Sequence, residues 1–158
     1  EESKFDTLVF GVYEEKLNFT YSKCCSPIPG DDVFGFTTIR EGIKIHRRDC
    51  PNAIRLQSNF AYRILETKWI DSSSSNRQSV AILHIKGIDS VGLINEVTQI
   101  LSNNLKINIR SININSSDGI FDGIITVLVL DKNNLSTVIN NIKKVEGITS
   151  VSRKFKSS

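Results

Sequence analysis

The chain has 158 residues, enough for one ordinary domain or two small ones. Hydrophobic residues at 39% and charged residues at 23% lie near the soluble globular average, which excludes wholesale disorder, and no apolar run approaches the ~20 residues of a membrane span. Twenty basic against seventeen acidic residues leave a net charge of +3, too small to mark a nucleic-acid binder by its total. The start, Glu1-Glu2-Ser3-Lys4, lacks the basic-then-apolar order of a signal peptide, so a cytoplasmic, non-membrane location is expected. Without an initial Met, the chain reads as a piece of something longer.

Residues 1–75 read as a small mixed α+β domain. Phe5 to Val12 predicts a strand, and Val33 to Ile39 with Gly42 to Ile45 predicts a hairpin turning at Glu41-Gly42. Pro51 through Phe60 fits one short helix, with Pro51 tolerated in its first turn, and Arg63 to Ile70 fits a closing strand. The polar run Asp71-Ser72-Ser73-Ser74-Ser75-Asn76 then has loop chemistry and no apolar periodicity, which places a domain boundary near Asn76.

Residues 76–158 are more regular. Val80 to Lys86 is rich in β formers and stops at Gly87. Leu93, Ile94, Val97, Ile100, Leu101 and Leu105 recur at helical spacing, with Ser90 placed to cap that helix. Ile112 and Ile114 alternate with Asn113 and Asn115, Ser117-Asp118-Gly119 supplies a turn, and Phe121 to Leu130 makes the return strand. Ile107 and Ile109 are out of phase with Ile112 and Ile114, so the first hairpin strand either starts late or carries a bulge near Arg110. Leu135, Val138, Ile139 and Ile142 mark a second helix, Gly147 offers a stop, and Ile148 to Phe155 alternates as a last strand. The order βαββαβ predicts a four-stranded antiparallel sheet with both helices on one face, the ferredoxin-like arrangement. The fold class expected for the whole chain is therefore α+β.

All three cysteines fall in the first part. They cannot all pair, and a disulfide between the neighbours Cys24 and Cys25 is strained. Cys24, Cys25, His46 and Cys50 make a three-sulfur, one-imidazole set of the kind that suits tetrahedral Zn²⁺. The spacing departs from Cys-x-x-Cys, and adjacent cysteines reach one metal only over an unusual backbone. Two other readings stand beside the metal: reduced thiols packed as small hydrophobes, and a nucleophilic Cys paired with His46 and oriented by Asp31 or Asp49.

The stretch CCSPIPGDDVFGFTTIREGIKIHRRDCPNA resembles the Cys-containing module of long RelA/SpoT homologues, the guanosine tetra- and pentaphosphate ((p)ppGpp) synthetase/hydrolases. Agreement covers the paired Cys, the Pro-x-Pro-Gly-Asp turn, Gly-Ile-x-Ile-His and the Asp-Cys-Pro-Asn end. In that family the module, a zinc-finger or ribosome-intersubunit domain, precedes an ACT domain, so the resemblance extends over nearly the whole chain. It implies that Cys24, Cys25, His46 and Cys50 are metal-binding positions and that Asp49 and Cys50 are regulatory ones. It also implies a fragment without catalytic residues, whose parent is a GTP pyrophosphokinase.

Lys44, Arg47, Arg48 and Arg55 put positive charge around the Cys/His set. Charge alone reads as a solvated hairpin end; the resemblance implies contact with ribosomal RNA near deacylated tRNA. In the second part Asp89, Ser90, Val91, Gly92 and Leu93 lead into a helix start, where backbone amides favour a carboxylate. By resemblance the ligand is a branched-chain amino acid; by local chemistry alone the glycines serve a tight connection. An exposed sheet edge in the ACT part further predicts a homodimer. The function expected is a regulatory region relaying amino-acid starvation from the ribosome to catalytic domains of the same chain, and the alternative is an ACT amino-acid sensor that acts without the ribosome.

Overall fold

The computed structural model describes residues 7–70 and 78–154. The chain splits into two compact units, the second being Gln78–Lys154. The Asp71–Asn76 run, the boundary expected near Asn76, and Phe5 and Phe155 lie outside the described residues.

In the first unit β1 (Thr7–Phe10) pairs antiparallel with β6 (Thr67–Ile70), Leu8 opposite Trp69. A four-stranded sheet has the order β2-β4-β3-β5, from β2 (Phe19–Tyr21), β4 (Ile43–Arg47), β3 (Val33–Thr37) and β5 (Ile64–Leu65). The hairpin β3–β4 is the expected one, but its second strand runs on to Arg47 and so carries His46. The first strand is shorter than expected: after Phe10 the chain turns through Gly11 at φ 75, leaving Val12 exposed. The expected Arg63–Ile70 strand is three pieces, a 3₁₀ turn over Ala61–Arg63 followed by β5 on β3 and β6 on β1, because the chain changes sheets at Glu66.

Strand β3 is buried on both faces, and its period of two sorts the core. Val33 packs with Leu8, Phe10 and Ile45, against Phe19, Ile43, Leu65 and Trp69. Phe34 and Phe36 face the other way and pack with Cys25, Cys50 and Ala53 of α1 (Pro51–Asn59). On β4 the same alternation sends Ile43 and Ile45 to the first cluster and puts His46, directly opposite Phe34, on the cysteine side.

The second unit is βαββαβ, with β7 (Ser79–Ile88), α2 (Leu93–Gln99), β8 (Asn108–Ser117), β9 (Ile120–Val129), α3 (Lys132–Lys143) and β10 (Ile148–Arg153). The sheet order β10-β7-β9-β8, antiparallel throughout, is ferredoxin-like. Ala81, Leu83 and Ile85 of β7 and Phe121, Ile125, Val127 and Val129 of β9 fill one face, and the helix stripes Leu93, Val97, Leu101 and Leu135, Val138, Ile142 are buried with them.

Several local expectations are revised here. Helix α2 begins at Leu93 after Gly92 at φ 85, and Ser90 does not cap it with its side chain; the Ser90 carbonyl accepts the Leu93 N–H. The helix does not run unbroken to Leu105 but widens into a π turn at Ile100–Asn104, where the Leu105 N–H reaches the Ile100 carbonyl. The phase change in β8 is a bulge, since its register with β9 shifts between Ile109 and Ser111, leaving Ile109, Ile112 and Ile114 on one face. Asp118 and Gly119, both at positive φ, close that hairpin as a type I′ turn. Helix α3 starts at Lys132, capped by Asp131, whose Oδ1 accepts the Asn134 N–H at 2.8 Å.

Strand β7 runs through Gly87 rather than stopping there. A Cβ at Gly87 would lie 2.4 Å from the Gly147 carbonyl oxygen, the acceptor of the Ile88 N–H. Backbone must move to admit it, so Gly87→Ala is expected to cost the second unit about 3 kcal/mol. A denaturation midpoint of that unit unchanged by the substitution would refute this packing.

Candidate metal centre

Four side chains from three elements converge in the first unit. Cys24 and Cys25 sit in the turn after β2, tied to β4 by the Ser22 N–H to the Ile45 carbonyl (2.9 Å). The Ser26 N–H closes back on the Ser22 carbonyl at 3.0 Å, with Ser26 itself at φ 43. The turn that carries the adjacent cysteines is thus closed by a left-handed residue directly after Cys25. Downstream, Asp31 Oδ2 accepts the Ile28 N–H and the Asp31 carbonyl accepts the Trp69 indole N–H, which fixes the loop to β6. His46 comes from β4. Cys50 precedes Pro51 at the start of α1, and its carbonyl accepts the Ala53 N–H as a helix cap residue does.

The four ligand atoms all lie within 4.8 Å of one another. Cys24 Sγ is 3.4 Å from Cys50 Sγ, 3.9 Å from Cys25 Sγ and 3.5 Å from His46 Nδ1, and Cys25 Sγ is 3.9 Å from that nitrogen. Around a tetrahedral zinc with ~2.3 Å Zn–S and ~2.05 Å Zn–N bonds, sulfur–sulfur edges are ~3.8 Å and sulfur–nitrogen edges ~3.6 Å. The donor set suits that ion, and these four edges lie within ~0.4 Å of those lengths.

Electrostatics at the cluster favour a cation. Burial, with Lys44 adding to it, pushes His46 below its ordinary 6.5, so the imidazole is neutral at pH 7 and has a lone pair to donate. Its ring stacks on Phe34 at 5.8 Å between centroids, which fixes the plane presenting Nδ1. Burial is the leading influence on all three thiols and pushes Cys25 and Cys50 upward. At Cys24 hydrogen bonds, with Ser22 and Asn52 foremost, outweigh burial and hold the thiol below its usual value. Three thiolates in such a pocket require a compensating positive charge.

Residues 9–70, which contain all four side chains, match the RelA/SpoT RIS domain, and residues 75–153 match the ACT domain. The chain belongs to the RelA/SpoT family. It is 35% identical over 133 residues, 84% of its length, to the bifunctional (p)ppGpp synthase/hydrolase RelA of Mycobacterium tuberculosis. To the GTP pyrophosphokinase of Escherichia coli strain K12 it is 36% identical over 91 residues, 58% of its length. It spans only 18% and 12% of those relatives. A crystal structure of the ACT domain from GTP pyrophosphokinase of Chlorobium tepidum, 32% identical, covers 49% of this chain and 100% of that one at a TM-score of 0.46.

Around the RIS cluster the polar residues expected from sequence take different places. Asp49 is exposed and accepts Arg47 Nη2 at 2.8 Å. Arg47 is buried, at 8% exposure. Lys44 pairs with Glu41 at 2.9 Å, and Arg48 pairs with Asp32 at 3.1 Å while its guanidinium lies over Phe34. Arg55 is exposed on α1. Phe34, Ser22 and Asn52, which orient His46 and Cys24, were missed from sequence. Of these only Phe34 left a signal, the alternation that sets it across from His46.

In the ACT domain Asp89, Ser90, Val91 and Gly92 are exposed, whereas Leu93 is 3% exposed and belongs to the core. Helix α2 has no side-chain cap, and its first amide, the Leu93 N–H, is taken by the Ser90 carbonyl. Among the described residues no helix is long and apolar enough to cross a membrane.

Proposed function

We propose that this chain is a regulatory region that carries a signal from the ribosome to the (p)ppGpp synthetase and hydrolase domains of a longer chain, with Zn²⁺ held by Cys24, Cys25, His46 and Cys50. The observation carrying the reading is the convergence of those four ligand atoms within 4.8 Å, inside a RelA/SpoT RIS domain that is followed by an ACT domain. When bound, the zinc supplies a charge that stabilises three thiolates and a cross-link in a domain too small to hold a large core. The chain's own residues do the rest. Ser22 and Asn52 orient Cys24, Phe34 fixes the imidazole, and Cys50 places the start of α1, which exposes Arg55 toward RNA phosphates.

Of the four basic residues around the cluster, Arg48 and Arg55 are exposed, Arg48 in a pair with Asp32, while Lys44 is half-buried and Arg47 buried. Contact with ribosomal RNA beside deacylated tRNA would favour one arrangement of the whole protein over another, a population shift with a coupling of roughly 1–3 kcal/mol. In the full-length protein, His46→Ala with Cys50→Ala is expected to reduce ribosome-stimulated (p)ppGpp synthesis to the unstimulated rate. Arg55→Glu, at an exposed position, is expected to weaken ribosome binding and flatten its salt dependence without changing the melting temperature. Stimulation unaltered in both variants would reject this function.

The uncapped start of α2 favours a second reading, in which a branched-chain amino acid binds its carboxylate there, across an ACT homodimer. Calorimetry of the chain with valine, leucine and isoleucine distinguishes it, since the ribosomal reading requires no heat of binding.

A further inference from the structure

Three sulfur atoms in the RIS domain are near enough to react with one another. The nearest pair, Cys24 and Cys50, is separated by 3.4 Å. A disulfide of ~2.05 Å therefore needs a closure of only ~1.4 Å, within reach of side-chain rotation. The geometry selects this pair over the others. A bridge between the neighbours Cys24 and Cys25 strains the backbone, and Cys25 is held by the Arg47 N–H at 3.3 Å from its sulfur. Cys24 is partly exposed, on a turn, while Cys50 is 1% exposed directly behind it at a helix start. Neither is inside a strand whose ladder would resist the movement. A reactive front thiol with a sheltered second thiol behind it is the arrangement that converts oxidation into a reversible cross-link instead of irreversible damage.

We propose that Cys24 and Cys50 form a peroxide-sensitive dithiol that closes to a disulfide and releases the metal. Cys24 Sγ attacks one oxygen of hydrogen peroxide; the O–O bond breaks, giving a sulfenic acid at Cys24 and one molecule of water. Cys50 Sγ then attacks the Cys24 sulfur; the S–S bond forms, the S–O bond breaks, and the hydroxyl leaves as a second water, with the proton of a free Cys50 thiol or, where Cys50 is a zinc-held thiolate, with one from solvent. Two thiols and one hydrogen peroxide thus become one disulfide and two waters, with two electrons passing from sulfur to peroxide. A dithiol reductant reverses the cross-link. The metal-release step rests on the zinc reading above, because the cross-link withdraws two of the four ligands and leaves Cys25 and His46 as half a tetrahedral set.

The test uses the unaltered chain and needs no variant. After treatment with hydrogen peroxide, titration is expected to find one of the three thiols remaining. The intact mass should fall by two hydrogens, digestion should yield the Cys24 peptide joined to the Cys50 peptide, and dithiothreitol should restore all three thiols. A chromophoric chelator should register one zinc released per cross-link. Cross-links to Cys25 or between chains, or sulfinic acid without any cross-link, would overturn the proposal. The two readings fail separately: a chain isolated without metal that still forms the Cys24–Cys50 bridge sinks the zinc site alone, and a zinc-bound chain whose thiols survive peroxide sinks the switch alone.

Discussion

Chelation of the metal is expected to lower the unfolding transition of the RIS domain steeply while leaving that of the ACT domain in place. A structural zinc contributes roughly 10–16 kcal/mol of apparent binding energy, and a core of this size supplies ~3–5 kcal/mol by itself. The first quantity exceeds the second, so most of the stability that holds Cys24, Cys25, His46 and Cys50 together is withdrawn with the metal. Trp69 makes this measurable, because it is the sole tryptophan and belongs to the RIS domain, where its indole N–H donates to the Asp31 carbonyl. Its fluorescence should follow the loss of that domain, while circular dichroism retains the transition of residues 78–154.

Acidification should deepen the effect. The folded-state value of His46 is depressed by burial, so the unfolded chain takes up a proton first as pH falls through the ordinary value of 6.5. Stability present above that pH is then lost on going below it. Zinc added back at about pH 8 should restore the transition, and at about pH 5.5 it should fail, because protons compete for the imidazole and the thiolates. An unchanged Trp69 melt with and without chelator, together with no zinc in native mass spectra, would leave the four side chains as a packed thiol cluster.

Phe34→Ala is expected to be the most damaging single substitution in the RIS domain. Phe34 is fully buried, packs against Cys25, Phe36, Cys50 and Ala53, and carries the His46 ring on its face. Loss of a buried Phe costs roughly 3–5 kcal/mol through lost transfer energy and the cavity left behind. At ~4–8 °C per kcal/mol in a domain of this size, the Trp69 transition should fall by more than about 12 °C. Zinc affinity should weaken by about 10-fold or more, since residues that orient a ligand contribute on that scale. Tyr62→Ala, at 82% exposure, is the control and should stay within about 0.5 kcal/mol. Equal effects of the two substitutions would refute the assigned core.

Much of the ACT domain was legible because each element repeats one period over many residues. A run dominated by Ile, Val and Leu marks β9 as a strand, and apolar residues at helical spacing in α3 state which face is buried without knowledge of the neighbour. Even the bulge at Arg110 left a trace, as a phase slip between Ile109 and Ile112. Elements decided by a distant partner left none. The three-residue β2 exists only because it lies parallel to Ile43–Ile45, and the division of Ile64–Ile70 into β5 and β6 follows from two different partner strands. The π turn at Ile100–Asn104 keeps the helical spacing of its apolar residues, so periodicity read it as plain helix.

At the candidate site the sequence by itself determined the donor set, since three thiols and an imidazole are a matter of residue type. The tertiary structure alone decided that Nδ1 of His46 meets the sulfurs, that Cys24 lies in front of Cys50, and that Arg47 turns inward while Arg55 remains in solvent. The reason is physical. Chemical identity is carried by each residue separately, whereas direction and burial arise where a left-handed turn at Ser26, the pleat of β4 and the start of α1 are packed together around Phe34.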